Sequence, residues 1–184
     1  MKTTWDKIGG HYNWQWLYEE MAERLEPGDV AVEVDVWLGR SICHLASMTQ
    51  SGVQVYGVDL FRGEQDHKDM TNHVKGQGGS FLSETARNIT ACGLHERINL
   101  VQADSVTAAG MFSGTAPRFV YIDACHDYES VLADIQAWLD VIVPWGVIAG
   151  HDWSAAFPGV EKAVRECFED DQIEVRGSTW KVEL

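Results

Sequence analysis

Short apolar segments that alternate with helical segments constrain the fold of this 184-residue chain more than any other feature. Each apolar segment is rich in β-branched residues and is bounded by turn residues, which is the pattern of a buried parallel strand. The predicted strands are Val30–Val34, Val53–Val58, Ile98–Gln102, Arg118–Asp123 and Trp145–Ala149. Strands separated by helices indicate an α/β domain with a doubly wound, mainly parallel sheet and helices on both faces.

Helical periodicity and turn signals complete this pattern along the chain. The predicted helices are Asn13–Leu25, Ser41–Met48, Ser80–Cys92, Tyr128–Val141 and Pro158–Phe168. Near the end, Ile173–Val175 and Thr179–Val182 predict an antiparallel pair of strands. We therefore expect a single domain over residues 1–184, with an N-terminal helix and turn at 1–28. The polar stretch at 61–79 is too long for a plain connection, and a lid or binding loop is one interpretation. A solvated loop is the alternative, and the composition favours it.

Charge and composition narrow the partners that this chain can have. The formal net charge of −14 opposes binding to phosphate backbones and to anionic membranes. No stretch approaches the roughly 20 apolar residues that a bilayer span needs, and the first residues lack the apolar core of a signal peptide. The four cysteines are scattered, which suits free thiols in a reducing cytosol. We expect a cytoplasmic protein that binds a small molecule, with neither nucleic acid nor membrane as a partner and with a homodimer left open.

Each predicted parallel strand ends in, or runs directly into, a carboxylate. The five residues are Asp35, Asp59, Asp104, Asp123 and Asp152. Because the carboxyl ends of parallel strands meet at one edge of a sheet, we expect these side chains to gather where ligands bind in such folds. Any one of them is equally well explained as a turn or helix cap. Together they indicate a ligand with hydroxyl groups or positive charge, or a metal ion.

The turn after the first strand argues against a dinucleotide. Of the glycines in a G-x-G-x-x-G turn only Gly39 is present, and Asp35 would place a negative charge beside a pyrophosphate. Asp59 follows about 20 residues later, where a carboxylate accepts hydrogen bonds from both ribose hydroxyls of an adenosine. An adenosine ligand without phosphates fits both observations, although a plain cap remains the alternative for Asp59.

A second group of polar residues lies at the ends of the fourth and fifth predicted strands. Two carboxylates and one imidazole, from Asp123, His151 and Asp152, suit Mg²⁺ or Mn²⁺ with coordination positions left for water. His126 lies just past Asp123 and titrates near neutrality, so it is a candidate general base. The alternative is structural: His126 would cap the following helix and His151 would hydrogen-bond to backbone.

At these residues the sequence resembles the class I S-adenosylmethionine-dependent methyltransferases, and among them the small macrocin- and cephamycin-type metal-dependent O-methyltransferases. The segments that carry the resemblance are 34–41, 103–105, 121–128, 145–152 and 158–160. It implies a Rossmann-like, seven-stranded sheet with a reversed last strand. It also implies S-adenosylmethionine and a divalent metal as cofactors, and methyl transfer to a hydroxyl of a small molecule.

The resemblance also implies roles for individual residues. The cofactor would contact Glu33, Asp35, Trp37, Gly39, Ser41, Asp59, Asp104, Ser105 and Asp123. Within this set, Glu33 with Gly39 and Ser41 would hold the methionine part. Asp59 would hold the ribose, and Asp104 with Ser105 would border the adenine. Asp123 and Asp152 match metal-ligand positions, with His151 at the third, where relatives often carry another carboxylate. His126 falls where the related catechol O-methyltransferases place a catalytic base.

Two departures from the family pattern keep other functions open. Asp35 stands where the family has a glycine. The family has glycine at this position because the backbone there passes close to the cofactor. Trp145 likewise replaces the first of two glycines that usually follow Pro144. The first departure motivates a second hypothesis, a non-catalytic cofactor-binding or scaffold domain of the same fold. A metal-dependent hydrolase that uses His126, His151 and Asp152 is the third, and it leaves Asp59 and Asp104 without a role.

Overall fold

The structure, a computed structural model, describes residues 3–62, 73–76 and 78–184. Within these residues, seven strands form one sheet in the order β3-β2-β1-β4-β5-β7-β6. They are β1 Val30–Val34, β2 Gln54–Asp59, β3 Ile98–Gln102, β4 Phe119–Ile122, β5 Val147–Gly150, β6 Ile173–Arg176 and β7 Thr179–Glu183. Strands β1 to β5 pair in parallel, whereas β7 runs antiparallel to both β5 and β6. The predicted Rossmann-like sheet with a reversed last strand is confirmed.

Helices cover both faces of the sheet, as the alternation of the sequence predicts. They are α1 Gln15–Arg24, α2 Arg40–Met48, α3 Leu82–Cys92, α4 Ser105–Gly110, α5 Tyr128–Leu139 and α6 Pro158–Cys167. Two hydrophobic cores result, because successive residues of a strand point to opposite faces. Ala31 of β1 packs in the core shared with α1 to α3, and its neighbour Val32 packs in the core shared with α4 to α6. No helix in the described ranges is long and apolar enough to cross a bilayer.

The structure differs from the sequence prediction at a few elements. Helix α4 was not predicted, because its six residues are too few to show an apolar period. Strand β5 begins at Val147, and Trp145 lies before it in a turn with 65% of its surface exposed. Helix ends shift by one or two residues, as terminal turns commonly do. The predicted lid loop at 61–79 lies largely outside the described residues.

Candidate functional site

An open cavity of about 300 Å³ lies at the carboxyl edge of the sheet. Its walls come from the ends of β1 and β2, the start of α4, the segment after β4 and the first turns of α5. The lining residues are Val34, Asp35, Val58, Asp59, Leu60, Ala103, Asp104, Ser105, Val106, Ala124, Cys125, Ser130, Ala133 and Asp134. A mainly apolar lining with a few convergent polar groups is typical of small-molecule sites.

Four of the residues predicted to contact the cofactor line this cavity, and they differ in how exposed they are. Asp35, Asp59 and Ser105 are half-buried or buried, whereas Asp104 is exposed. The side chain of Asp104 accepts a hydrogen bond from the backbone N–H of Thr107 at 2.9 Å, so it caps the N-terminus of α4. Asp104 is therefore a helix cap, as the alternative interpretation has it, and it also lies at the cavity wall.

Glu33, Trp37, Gly39 and Ser41 do not line the cavity. Glu33 is 1% exposed, and its two carboxylate oxygens accept hydrogen bonds from the Tyr18 hydroxyl at 2.7 Å and the Ser41 hydroxyl at 2.6 Å. Burial raises the pKa of Glu33 to about 8. The Trp37 ring packs edge-on against Phe81, with 4.8 Å between ring centroids. In this structure Glu33 therefore ties β1 to α1 and α2.

The turn between β1 and α2 has an unusual backbone at alternate residues. Asp35, Trp37 and Gly39 all lie in the left-handed region, with φ values of 65°, 47° and 86°. Left-handed backbone costs a residue with a Cβ roughly 1–2 kcal/mol, and glycine avoids that cost. The turn thus adopts a conformation suited to three glycines while it carries only one.

Asp59 is held by this turn and contacts Asp35. The two carboxylate oxygens of Asp59 accept hydrogen bonds from the backbone N–H of Trp37 at 3.1 Å and of Phe61 at 2.5 Å. The side chain of Asp35 also hydrogen-bonds to it, and burial raises the pKa of Asp59. Two carboxyl groups in contact share a proton unless a cation or hydrogen-bond donor separates them.

Replacing Asp35 with glycine is expected to stabilise the ligand-free protein by about 1 kcal/mol, because glycine adopts a positive φ without steric cost. The change also removes a carboxyl group from contact with Asp59. Urea-induced unfolding at neutral pH measures the difference in the free energy of unfolding. Asp35→Asn is the matched control, since it removes the charge but keeps a side chain at this φ. A lower stability of Asp35→Gly would contradict the backbone strain.

A second, smaller pocket holds the other predicted site residues together. The Nε2 atom of His126 lies 2.7 Å from Oδ2 of Asp152. The Nδ1 atom of His151 lies between two carboxylates, 3.2 Å from Oδ1 of Asp152 and 3.3 Å from Oδ1 of Asp123. Burial acts to lower the pKa of His151, but hydrogen bonds to both carboxylates outweigh it and raise the pKa to about 9. Burial likewise opposes ionisation of Asp152, and the two histidines nevertheless hold its pKa well below the usual range.

The donor set at this pocket fits a divalent cation. Within the described ranges, Asp123, His151 and Asp152 form the one group of side chains that offers three ligand atoms within 4.8 Å of one another. An ion about 2.0–2.2 Å from each ligand needs separations no larger than about 4.4 Å. Rotations that move the ligand atoms by a few tenths of an ångström would therefore suffice.

Residues distant in sequence surround His151. Its Nε2 atom lies 2.8 Å from the hydroxyl of Ser178 and 3.1 Å from Oδ1 of Asn13, and the Trp14 ring packs against it with 4.7 Å between centroids. The structural alternative for His151 was a hydrogen bond to backbone, whereas the partners observed for its ring are side chains. Asn13 and Ser178 were missed from the sequence, since neither belongs to a motif or to a strand end on the parallel sheet.

His126 is positioned by packing rather than by capping. Its ring stacks on Phe157 at 4.3 Å, and the N-cap of α5 is Asp127, which accepts from the backbone N–H of Ser130 at 3.0 Å. The structural alternative, in which His126 caps this helix, is wrong. A Cβ atom on Gly159 would meet the backbone oxygen of His126 at 2.6 Å, so the start of α6 packs closely against the His126 segment.

Asp134 is a cavity residue that was not predicted from the sequence. It lies on α5 among core residues of the same helix face, Val131, Ile135 and Trp138, and is 6% exposed. Burial raises the pKa of Asp134 to about 6, although a hydrogen bond from Ser105 opposes the rise. The sequence feature that could have identified Asp134 is its position as an acidic residue on an otherwise apolar helix face.

Comparisons with known proteins agree with this architecture. Residues 32–153 match the family described as methyltransferase domain. CalS11, a calicheamicin methyltransferase, is similar with 17% identity over 92% of this chain and 77% of that one, at a TM-score of 0.69. An O-methyltransferase from Bacillus cereus in complex with SAH has 15% identity over 97% of this chain and 84% of that one, at a TM-score of 0.64. A protein named as an rRNA methylase from Clostridium thermocellum has 13% identity over 96% of this chain and 99% of that one, at a TM-score of 0.66.

At these identities the structural likeness shows the fold alone. The family match is different, because it covers well over half of the chain and runs from β1 to just beyond β5. It includes the cavity lining from Val34 to Asp134 and the whole group of Asp123, His126, His151 and Asp152. This chain belongs to the methyltransferase domain family.

Proposed function

We propose that this protein binds S-adenosylmethionine in the cavity and transfers its methyl group to a hydroxyl of a small molecule, assisted by a divalent metal ion. One observation carries the proposal. The cavity and the pocket of Asp123, His126, His151 and Asp152 share a wall, formed by residues 124–125. A nucleoside-sized ligand and an acceptor held at the second pocket would therefore be neighbours, and alignment of two reactants is a large source of rate enhancement.

Asp59 and the residues around it provide for the adenosine part. A carboxylate has about four lone-pair positions, so Asp59 retains acceptor capacity beyond its bonds to the backbone of Trp37 and Phe61. Ribose hydroxyls would use that capacity and would replace the contact with Asp35. Apolar surface from Val106 and Ala133 suits the faces of a purine ring.

At the second pocket, Asp123, His151 and Asp152 would hold the metal ion. When bound, such an ion lowers the pKa of an acceptor hydroxyl. The contact between Nε2 of His126 and Asp152 favours a proton on that nitrogen. Nδ1 of His126 would then take the proton of the acceptor hydroxyl, while S-adenosylmethionine would supply the methyl group from its sulfonium sulfur and leave as S-adenosylhomocysteine.

The chemical class of the acceptor follows from charge and from the donor set. Two carboxylates and an imidazole suit a divalent metal ion, and this donor set supports a metal-dependent O-methyltransferase over a metal-free one. The similar structures include enzymes named as O-methyltransferases, one of them a TDP-rhamnose 3'-O-methyltransferase, as well as the rRNA methylase. The net charge of −14 favours a small molecule over RNA, and we propose a cytoplasmic location for the reaction.

Isothermal titration calorimetry with S-adenosylmethionine and S-adenosylhomocysteine, with and without Mg²⁺, tests the cofactor. We expect both ligands to bind with submillimolar dissociation constants, because each would fill the same adenosine subsite. Failure of both ligands to bind at millimolar concentration would remove the cofactor from the proposal.

A non-catalytic cofactor-binding or scaffold domain is the second candidate, and the contact between Asp35 and Asp59 favours it. That contact competes with the ribose for the same carboxylate. A thermal-shift comparison with S-adenosylhomocysteine separates the two candidates. A large ligand-dependent shift in Asp35→Gly that the parent lacks would support the second candidate, and equal shifts would show that the aspartate is tolerated. The methyltransferase family match gives no support to a metal-dependent hydrolase.

A further inference from the structure

The carboxyl group of Asp134 lies at the cavity wall in surroundings that do not favour its charge. It is 6% exposed and projects from a helix face that otherwise contributes Val131, Ile135 and Trp138 to the core. A buried carboxylate is costly unless donors compensate it. The nearby charges are carboxylates, since Asp104 and Asp127 both act to raise its pKa. In the described ranges, no residue forms an ion pair with Asp134.

A chain of hydrogen bonds fixes the direction in which Asp134 interacts. The indole Nε1–H of Trp138 donates to the hydroxyl oxygen of Ser105 at 2.9 Å. Because an indole can only donate, the Ser105 oxygen acts as acceptor and its own proton is directed to Asp134. Asp134 therefore acts as an acceptor here. One hydroxyl proton leaves a carboxylate with unused acceptor positions, and the cavity is the place from which further donors can reach it.

We propose that Asp134 is a specificity-determining residue that accepts a hydrogen bond from the exocyclic amino group of the cofactor's adenine. The inference rests on the proposed function, since it assumes that an adenosine occupies the cavity. With the ribose at Asp59, the base would extend towards Ser105, Val106 and Asp134, which line the same cavity. A 6-oxopurine would instead present an oxygen to the carboxylate, and two acceptors that face each other repel. The cavity would thus reject the oxo analogue as well as favour the amine.

The test compares dissociation constants for S-adenosylhomocysteine and its 6-oxo analogue S-inosylhomocysteine, measured by calorimetry on the full chain. We expect the parent to bind the adenine compound about 100-fold more tightly or better, because a site that pairs with a polar group discriminates strongly against an analogue lacking it. In Asp134→Asn the ratio should fall to about tenfold or less, since an amide can accept from an amine and also donate to a carbonyl oxygen. The amide also keeps an acceptor for the Ser105 hydroxyl, so the fold should be retained.

Asp127→Asn is the matched control, because Asp127 is an exposed acid that caps the N-terminus of the same helix, α5. It should leave the ratio of the two dissociation constants as in the parent. An equal loss of affinity for both ligands in Asp134→Asn, with the ratio unchanged, would assign Asp134 a structural role and overturn the inference. A parent that binds both ligands equally would also overturn it while the proposed function stands. A parent that binds neither would refute both.

Discussion

Replacing Asp59 with alanine is expected to weaken S-adenosylmethionine binding by about 100-fold or more. Each hydrogen bond to a charged group contributes about 1.5–3 kcal/mol, and a ribose offers two hydroxyls to this carboxylate. The substitution also removes the acceptor for the backbone N–H groups of Trp37 and Phe61, so the turn that borders the cavity would lose its anchor. Calorimetry gives the dissociation constant, and circular dichroism confirms that the sheet is intact.

The second pocket provides the internal control for this experiment. Asp123, His151 and Asp152 lie on β4 and β5 or directly after them, whereas Asp59 ends β2, so a metal-dependent rise in melting temperature should persist in Asp59→Ala. Loss of both cofactor binding and the metal effect would indicate general damage to the fold. Unchanged cofactor affinity would show that Asp59 serves only the backbone of the turn, and the adenosine subsite would have to lie elsewhere.

Asp152→Asn is expected to abolish the stabilisation by Mg²⁺ or Mn²⁺ and to lower the rate of methyl transfer by about 100-fold. Loss of residues that merely support a ligand typically costs 10–100-fold, so loss of a ligand charge should lie at the upper end. Asparagine is preferred to alanine here because residue 152 has a φ of 60°, which asparagine tolerates and alanine does not. Thermal melts with increasing metal concentration measure the effect, since a ligand that binds only the native state raises its stability by mass action.

Asp104→Asn is the control for the metal experiment, because Asp104 lies at the same edge of the sheet but caps α4. It should keep the metal-dependent shift. A shift of normal size in Asp152→Asn would refute the assignment of this residue as a ligand. Absence of any shift in the parent at millimolar metal would leave His151, positioned between Asp123 and Asp152, as the group that balances the two carboxylates.

The sheet and its ligand edge were predictable because they follow from local patterns. Buried strands such as Val30–Val34 carry a continuous apolar run, and parallel strands must place their carboxyl ends together. The proximity of Asp123 to His151 and Asp152 therefore follows from topology once β4 and β5 are adjacent. Asp35 and Asp59 follow adjacent parallel strands in the same way, and both line one cavity.

Contacts that depend on three-dimensional packing were not predictable in the same way. Glu33 belongs to a strand end in sequence, but its side chain points to the opposite face of the sheet from the cavity, where Tyr18 and Ser41 bind it. Asp134 appears as one acid in an amphipathic helix until α4 is seen to bring Ser105 beside it. Since α4 itself carries no clear periodic signal, the contact between Ser105 and Asp134 could not be derived from spacing.

The neighbours of His151 have a consequence for how the protein folds. Its imidazole contacts Asn13, which is 138 positions away along the chain, and Ser178, which is 27 positions away. Contacts between distant positions carry a high loop-closure entropy and form slowly. The central strands can therefore associate before the pocket around His151 is complete, and the pocket is assembled only when both ends of the chain have docked. Local unfolding of either end would disable the pocket while most of the sheet stayed intact.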